Sequence, residues 1–62
     1  MSNLKRMREQ KLMTQVELSE KSGVNIRMIQ HYEQGTKDIK KCNVITALNL
    51  AEALGCEIRD II

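Results

Sequence analysis

Residues 14–35, TQVELSEKSGVNIRMIQHYEQG, decide how the chain is read. Thr14 and Glu17 stand at the spacing at which a Thr hydroxyl accepts from the Glu amide while the carboxylate reaches back to the Thr amide. That capping box starts a helix at Gln15 that runs to about Lys21, with Leu18 as its main core anchor. Ser19 puts a small side chain where another helix can cross closely, and Gly23 sits where a left-handed residue ends a helix. Asn25 is a good N-cap for a second helix, from Ile26 to about Gln34, which Gly35 closes. Here Val24, Ile29 and Tyr32 face a core, whereas Ile26, Arg27, Gln30 and His31 fall on the other side.

The flanks read as packing that holds this pair of helices. Ser2 or Asn3 caps a first helix to about Lys11, in which Leu4, Met7 and Lys11 share a face. Arg8 lies beside that apolar stripe and needs a partner for its charge; Glu33 is the candidate. Asn43 caps a fourth helix whose Val44, Ala47, Leu48, Leu50, Ala51 and Leu54 are apolar nearly all round, the pattern of a helix central to a bundle. Gly55 ends it, and residues 57–62 supply a fifth, short helix carrying Ile58, Ile61 and Ile62. Between the third and fourth helices, TKDIKK at residues 36–41 holds three lysines and one apolar residue, Ile39, which tacks the loop down. The expectation is an all-α, five-helix domain spanning residues 1–62.

Composition narrows the class. A 62-residue chain allows one small domain, which buries only about 60% of its unfolded surface. Pro, Phe and Trp are absent and Tyr32 is the only aromatic residue, so Leu, Ile, Val, Met and Ala must build the core. That favours helices packed on helices over a sandwich of strands. The four methionines serve as core filler, with Met28 placed for exposure beside the outward polar side chains. Cys42 and Cys56, without a secretory segment, argue for a reducing, cytoplasmic compartment rather than a disulfide. No apolar run approaches the eighteen or so residues of a membrane span. A net charge of +2 is too weak to imply nucleic acid, but its distribution is uneven. Residues 1–13 sum to +3, 14–35 to −1, 36–41 to +2 and 42–62 to −2, so one side can meet phosphates.

Two short helices joined by a tight, Gly-containing turn describe a helix-turn-helix, whose second helix enters the DNA major groove. Gln15, Leu18, the small residue at 19, Gly23, Val24, Ile29 and the run Tyr32-Glu33-x-Gly35 make the match specific. With them, the chain resembles the lambda repressor and Cro-like (XRE) helix-turn-helix family from Leu4, through Ala53-Leu54-Gly55, to Ile61-Ile62. The resemblance implies that Gln15 contacts a backbone phosphate and braces the recognition helix. It implies that Arg8 and Glu33 tie helix 1 to the end of helix 3. Base readers map to Ile26, Arg27, Gln30 and His31, and phosphate contacts to Lys37, Lys40 and Lys41. Chemically, Arg27 suits guanine O6 and N7, Gln30 suits adenine N6 and N7, and Ile26 suits a thymine methyl. His31 can donate to a base edge or a phosphate. Members often have a shorter loop with a proline before helix 4; this chain has extra residues there and Cys42, so the path of residues 36–42 is not carried over.

The implied function is sequence-specific binding of double-stranded DNA by a transcriptional regulator of bacterial or phage type. Such proteins usually act as homodimers, for which Ile58, Ile61 and Ile62 are the expected surface. The competing reading is an antitoxin or other protein-interaction module on the same fold, with a protein partner. His31, Cys42 and Cys56 match no recognised zinc spacing and lack a fourth ligand, so neither metal nor other cofactor is expected. No nucleophile–base pair, phosphate loop or paired-carboxylate site is present, which argues against an enzyme.

Overall fold

Four α-helices and two 3-10 turns make up the computed structural model, which describes residues 2–62. The helices are α1 (Asn3–Gln10), α2 (Gln15–Ser22), α3 (Ile26–Gln34) and α4 (Val44–Leu54), and the turns lie at Ile39–Lys41 and Ile58–Asp60. The described residues contain no strand, so the fold is all-α.

Each helix begins on a side-chain cap. The Ser2 hydroxyl accepts from the Lys5 amide at 3.1 Å and opens α1. Thr14 and Glu17 form the reciprocal capping box of α2, at 3.1 Å for the Glu17 amide on the Thr14 hydroxyl and 2.9 Å for the return bond. Asn25 accepts from the Arg27 amide at 2.7 Å and Asn43 from the Thr46 amide at 2.8 Å. Gly23, at φ +73°, ends α2, where the left-handed conformation carries no Cβ penalty. Across this turn the Ser19 hydroxyl donates to the Val24 carbonyl at 2.7 Å, and the Ser22 hydroxyl accepts from the Val24 amide at 3.1 Å.

The core is Leu4 of α1, Leu18 of α2, Val24 of the turn, Ile29 and Tyr32 of α3, Leu50, Ala51 and Leu54 of α4, and Ile61. α2 lies against both α3 and α4, and α1 packs on α3, so the helix-turn-helix pair is supported from two sides. Met7, Met13 and Met28 pack against this core; Met28 is therefore half-buried rather than exposed, and Met1 lies outside the described residues.

Four expectations are corrected. The fifth helix is one 3-10 turn, closed by i to i+3 bonds from Asp60 N to Glu57 O (2.9 Å) and Ile61 N to Ile58 O (3.0 Å). A segment this short cannot repay helix nucleation with many i to i+4 bonds, and a tight turn suffices to drive Ile61 inward. Ile61, 1% exposed, closes the core and is not part of a free surface; Ile58 is half-buried, and Ile62 is 40% exposed. α4 is covered on one face only: Ala47, Leu50, Ala51 and Leu54 are buried, while Val44, Ile45 and Leu48 are 67%, 65% and 43% exposed. A chain this small has too few elements to cover both faces. Finally, α1 ends where expected, but Lys11, read on its apolar face, is exposed as the residue that caps the helix, after which Leu12 takes a left-handed backbone (φ 57°) and turns the chain toward Thr14.

Candidate nucleic-acid interface

Amphipathic spacing gives α3 two different sides. Ile29 and Tyr32 are buried, whereas Arg27 is exposed and Ile26, Gln30 and His31 are half-buried on the outer side. Arg27 sits in the first turn, its amide held by the Asn25 cap, and among the described residues its guanidinium has no acidic partner. A free guanidinium presents a rigid fork of donors suited to guanine or phosphate.

The far end of α3 is clamped by charge. Arg8 Nε donates to Glu33 Oε2 at 2.7 Å and Arg8 Nη2 to Glu33 Oε1 at 3.0 Å, a bidentate pair with side chains 11% and 3% exposed. Arg8 Nη1 donates to the Met13 carbonyl at 2.7 Å, so one guanidinium joins α1, the approach to α2 and the last turn of α3. The hydrogen-bonded Glu33 carboxylate raises the Arg8 pKa above its usual value, against the opposing effect of burial.

Gln15 connects this clamp to the outer side of α3. Its Nε2 donates to Glu33 Oε1 at 3.0 Å, and its Oε1 accepts from Gln30 Nε2 at 3.4 Å. Arg8, Glu33, Gln15 and Gln30 therefore form one polar chain from the first helix to the candidate reading surface. Among the described residues the second N–H of Gln15 meets no acceptor and, with the N-terminal amides of α2, it suits an anion.

His31 is tied sideways. Its Nδ1 lies 2.7 Å from the Thr36 hydroxyl, linking the ring to the loop after α3. Lys37, Lys40 and Lys41 are exposed, and the latter two ride on the 3-10 turn that Asp38 caps through the Lys40 amide at 3.0 Å. Ile39 packs against the core and anchors that turn. Among the described residues, no hydrogen bond joins these lysines to the polar chain of α2 and α3. Sequence reasoning missed three groups: the Met13 carbonyl, the Thr36 hydroxyl and the Ser19 bridge to Val24. A carbonyl carries no side-chain signature, but Thr36 beside the helix-ending Gly35 was a legible signal.

No group of three or more His, Cys, Asp or Glu among the described residues is placed to hold a metal. Cys42 and Cys56 are free and half-buried, and burial raises the Cys56 thiol pKa. No helix among the described residues is long and apolar enough to cross a membrane.

A capped helix, a turn over residues 23–25 and a second capped helix with an open polar side make this a helix-turn-helix fold. A family model described as helix-turn-helix matches residues 4–61, and the chain belongs to that family, the XRE (Cro/C1-type) proteins. It is a family of DNA-binding regulatory domains rather than of enzymes. Comparison with curated proteins gives no match.

Proposed function

We propose that residues 1–62 form one cytoplasmic, sequence-specific DNA-binding domain that regulates transcription as a Cro- or repressor-like protein. α3 enters the major groove, where Ile26, Arg27, Gln30 and His31 meet base edges. Gln15, Lys37, Lys40 and Lys41 hold phosphates. The observation that carries this reading is the free Arg27 guanidinium beside Ile26 and Gln30, on a helix whose opposite side is buried and whose end is clamped by Arg8. A rigid helix with an open reading side is what discrimination between bases requires.

Selection of bound sites from a random DNA pool at fixed salt tests it. A consensus is expected, with separate columns lost in Arg27→Ala and Gln30→Ala. Binding that survives both substitutions with the same preferences sinks the major-groove reading.

The regulator acts as a homodimer on half-sites one DNA turn apart, about 34–36 Å. Ile62 and the half-buried Ile58 contribute to its surface, with Ile61 supporting them from the core. A palindromic consensus and a dimeric mass in solution are the expected results. A second reading, an antitoxin or other module that binds a protein partner, draws support from the exposed Val44, Ile45 and Leu48. Co-purification of a second chain, lost in Ile45→Asp, distinguishes it.

A further inference from the structure

We infer that Thr36 fixes the proton of the neutral His31 ring on Nδ1, so that His31 meets DNA as a hydrogen-bond acceptor and tells bases with an exocyclic amino group from bases with a keto oxygen. The inference rests on the major-groove reading above and deepens it.

The His31 carbonyl, in the last turn of α3, accepts from the Gly35 amide and, at 3.0 Å, from the Thr36 amide. Gly35, at φ +83°, bends the chain back so that Thr36 is seated beside the His31 ring. The Thr36 hydroxyl then lies between two groups of the same residue, 3.3 Å from the His31 carbonyl and 2.7 Å from His31 Nδ1. A hydroxyl has one hydrogen and a carbonyl only accepts, whereas a neutral imidazole can carry its proton on either nitrogen. One arrangement satisfies both contacts: the hydroxyl donates to the carbonyl and accepts from Nδ1–H. A hydroxyl that donated to Nδ1 instead would set its lone pairs against those of the carbonyl. The bond made by one ring nitrogen thus decides the state of the other.

Nε2 is left with a lone pair. Among the described residues it has no hydrogen-bond partner, and it is not a buried atom, so the lone pair is open on the outer side of α3. In the major groove such an acceptor is matched by the amino groups of adenine N6 and cytosine N4. It is opposed by guanine O6, thymine O4 and purine N7, which are acceptors themselves. A phosphate oxygen likewise offers the neutral ring no donor. His31 therefore sorts amino from keto bases on the strand it faces, and Thr36 is the positioning residue for that choice.

NMR of the ring nitrogens in the free protein, at a pH above the last movement of the His31 shifts, reads the tautomer without DNA. The wild-type ring should be in the Nδ1–H form. Thr36→Val, which keeps the shape and removes the hydroxyl, should return the ring to the Nε2–H form that free imidazole prefers, and Thr36→Ser should behave as wild type. An Nε2–H ring in the wild type, or the same tautomer in wild type and Thr36→Val, overturns the inference. On DNA, the His31 base pair is located as the selected column that His31→Ala abolishes. At the same pH, a synthetic site whose contacted adenine or cytosine lacks its amino group should bind wild type about fivefold more weakly, the strength of one neutral hydrogen bond. Thr36→Val should not register that loss. An equal loss in both proteins, or a loss on removing purine N7 instead, which marks a donor, overturns the inference as well. A consensus with no column that depends on His31 overturns the inference alone, whereas a wild-type pool with no consensus overturns the major-groove reading and the inference with it.

Discussion

Arg8 Nε sits 2.7 Å from Glu33 Oε2, a contact between residues 25 positions apart that joins the first helix to the last turn of the third. Both side chains are almost fully covered, so neither charge can fall back on water when its partner is removed. Glu33→Ala should destabilise the fold by about 3–5 kcal/mol, the usual result of leaving one buried charge alone. Arg8→Met combined with Glu33→Leu should recover much of that loss, because the cost lies in the unpaired ion rather than in the missing attraction. Urea denaturation of the single and double variants checks both; an unchanged midpoint in Glu33→Ala would count against the pair.

At the start of α2, Glu17 has a lowered pKa, chiefly through the hydrogen bond its carboxylate accepts from the Thr14 amide and then through the Thr14 hydroxyl. A carboxylate whose folded pKa is depressed adds stability above its unfolded pKa, near about 4.3, and that contribution is lost as pH falls through the folded value. Wild-type melting temperature should therefore drop more steeply with acid than that of Glu17→Gln. Thr14→Ala removes the other half of the box and should cost about 1 kcal/mol at neutral pH. Melting followed by circular dichroism across the acid range measures both effects.

Leu12 is a left-handed residue without glycine's freedom, and its side chain is 90% exposed. Its conformation costs about 1 kcal/mol and its side chain gains little by packing. Leu12→Asn, which tolerates this backbone, should stabilise the protein by up to about 1 kcal/mol without affecting DNA binding. Gly23 poses the reverse case: a Cβ there meets nothing within 4 Å, so Gly23→Ala should lose about 1–2 kcal/mol through φ alone. Equal stability of Gly23→Ala and wild type in urea would show that the turn adopts another backbone.

Lys40 and Lys41 project from an anchored turn, and their contribution to DNA binding should be insensitive to sequence. Lys40→Ala and Lys41→Ala should each reduce the slope of log K against log salt by about 1 and weaken all sites alike. Arg27→Ala should instead cost about 1–3 kcal/mol at its own base pair and relax the preference there. Binding titrations at several salt concentrations, on the selected site and on point variants of it, separate the two behaviours.

Much of the fold is legible in the sequence. Ser2, Thr14, Asn25 and Asn43 stood where helices begin, and Gly23, Gly35 and Gly55 where they end. In the site, Arg8 stood out as a charge against an apolar stripe, and Glu33 is the group that meets it. The Gln15–Gln30 contact was not legible, because it depends on how closely the start of α2 approaches the middle of α3. Nor was the Met13 carbonyl as a third partner for Arg8, since it becomes available only when Leu12 reverses the chain.

Caps, capping box and glycine ends were determined by the sequence alone, because each is settled by bonds between residues two to five apart, and spacing encodes those distances. Tertiary structure alone decided which face of α4 stays bare, that Ile61 turns inward while Ile62 does not, and that the Gln15 amide looks toward Glu33. These outcomes depend on which neighbours arrive and how much surface so few elements can cover. Periodicity records that a face is apolar; only packing says whether anything is there to meet it.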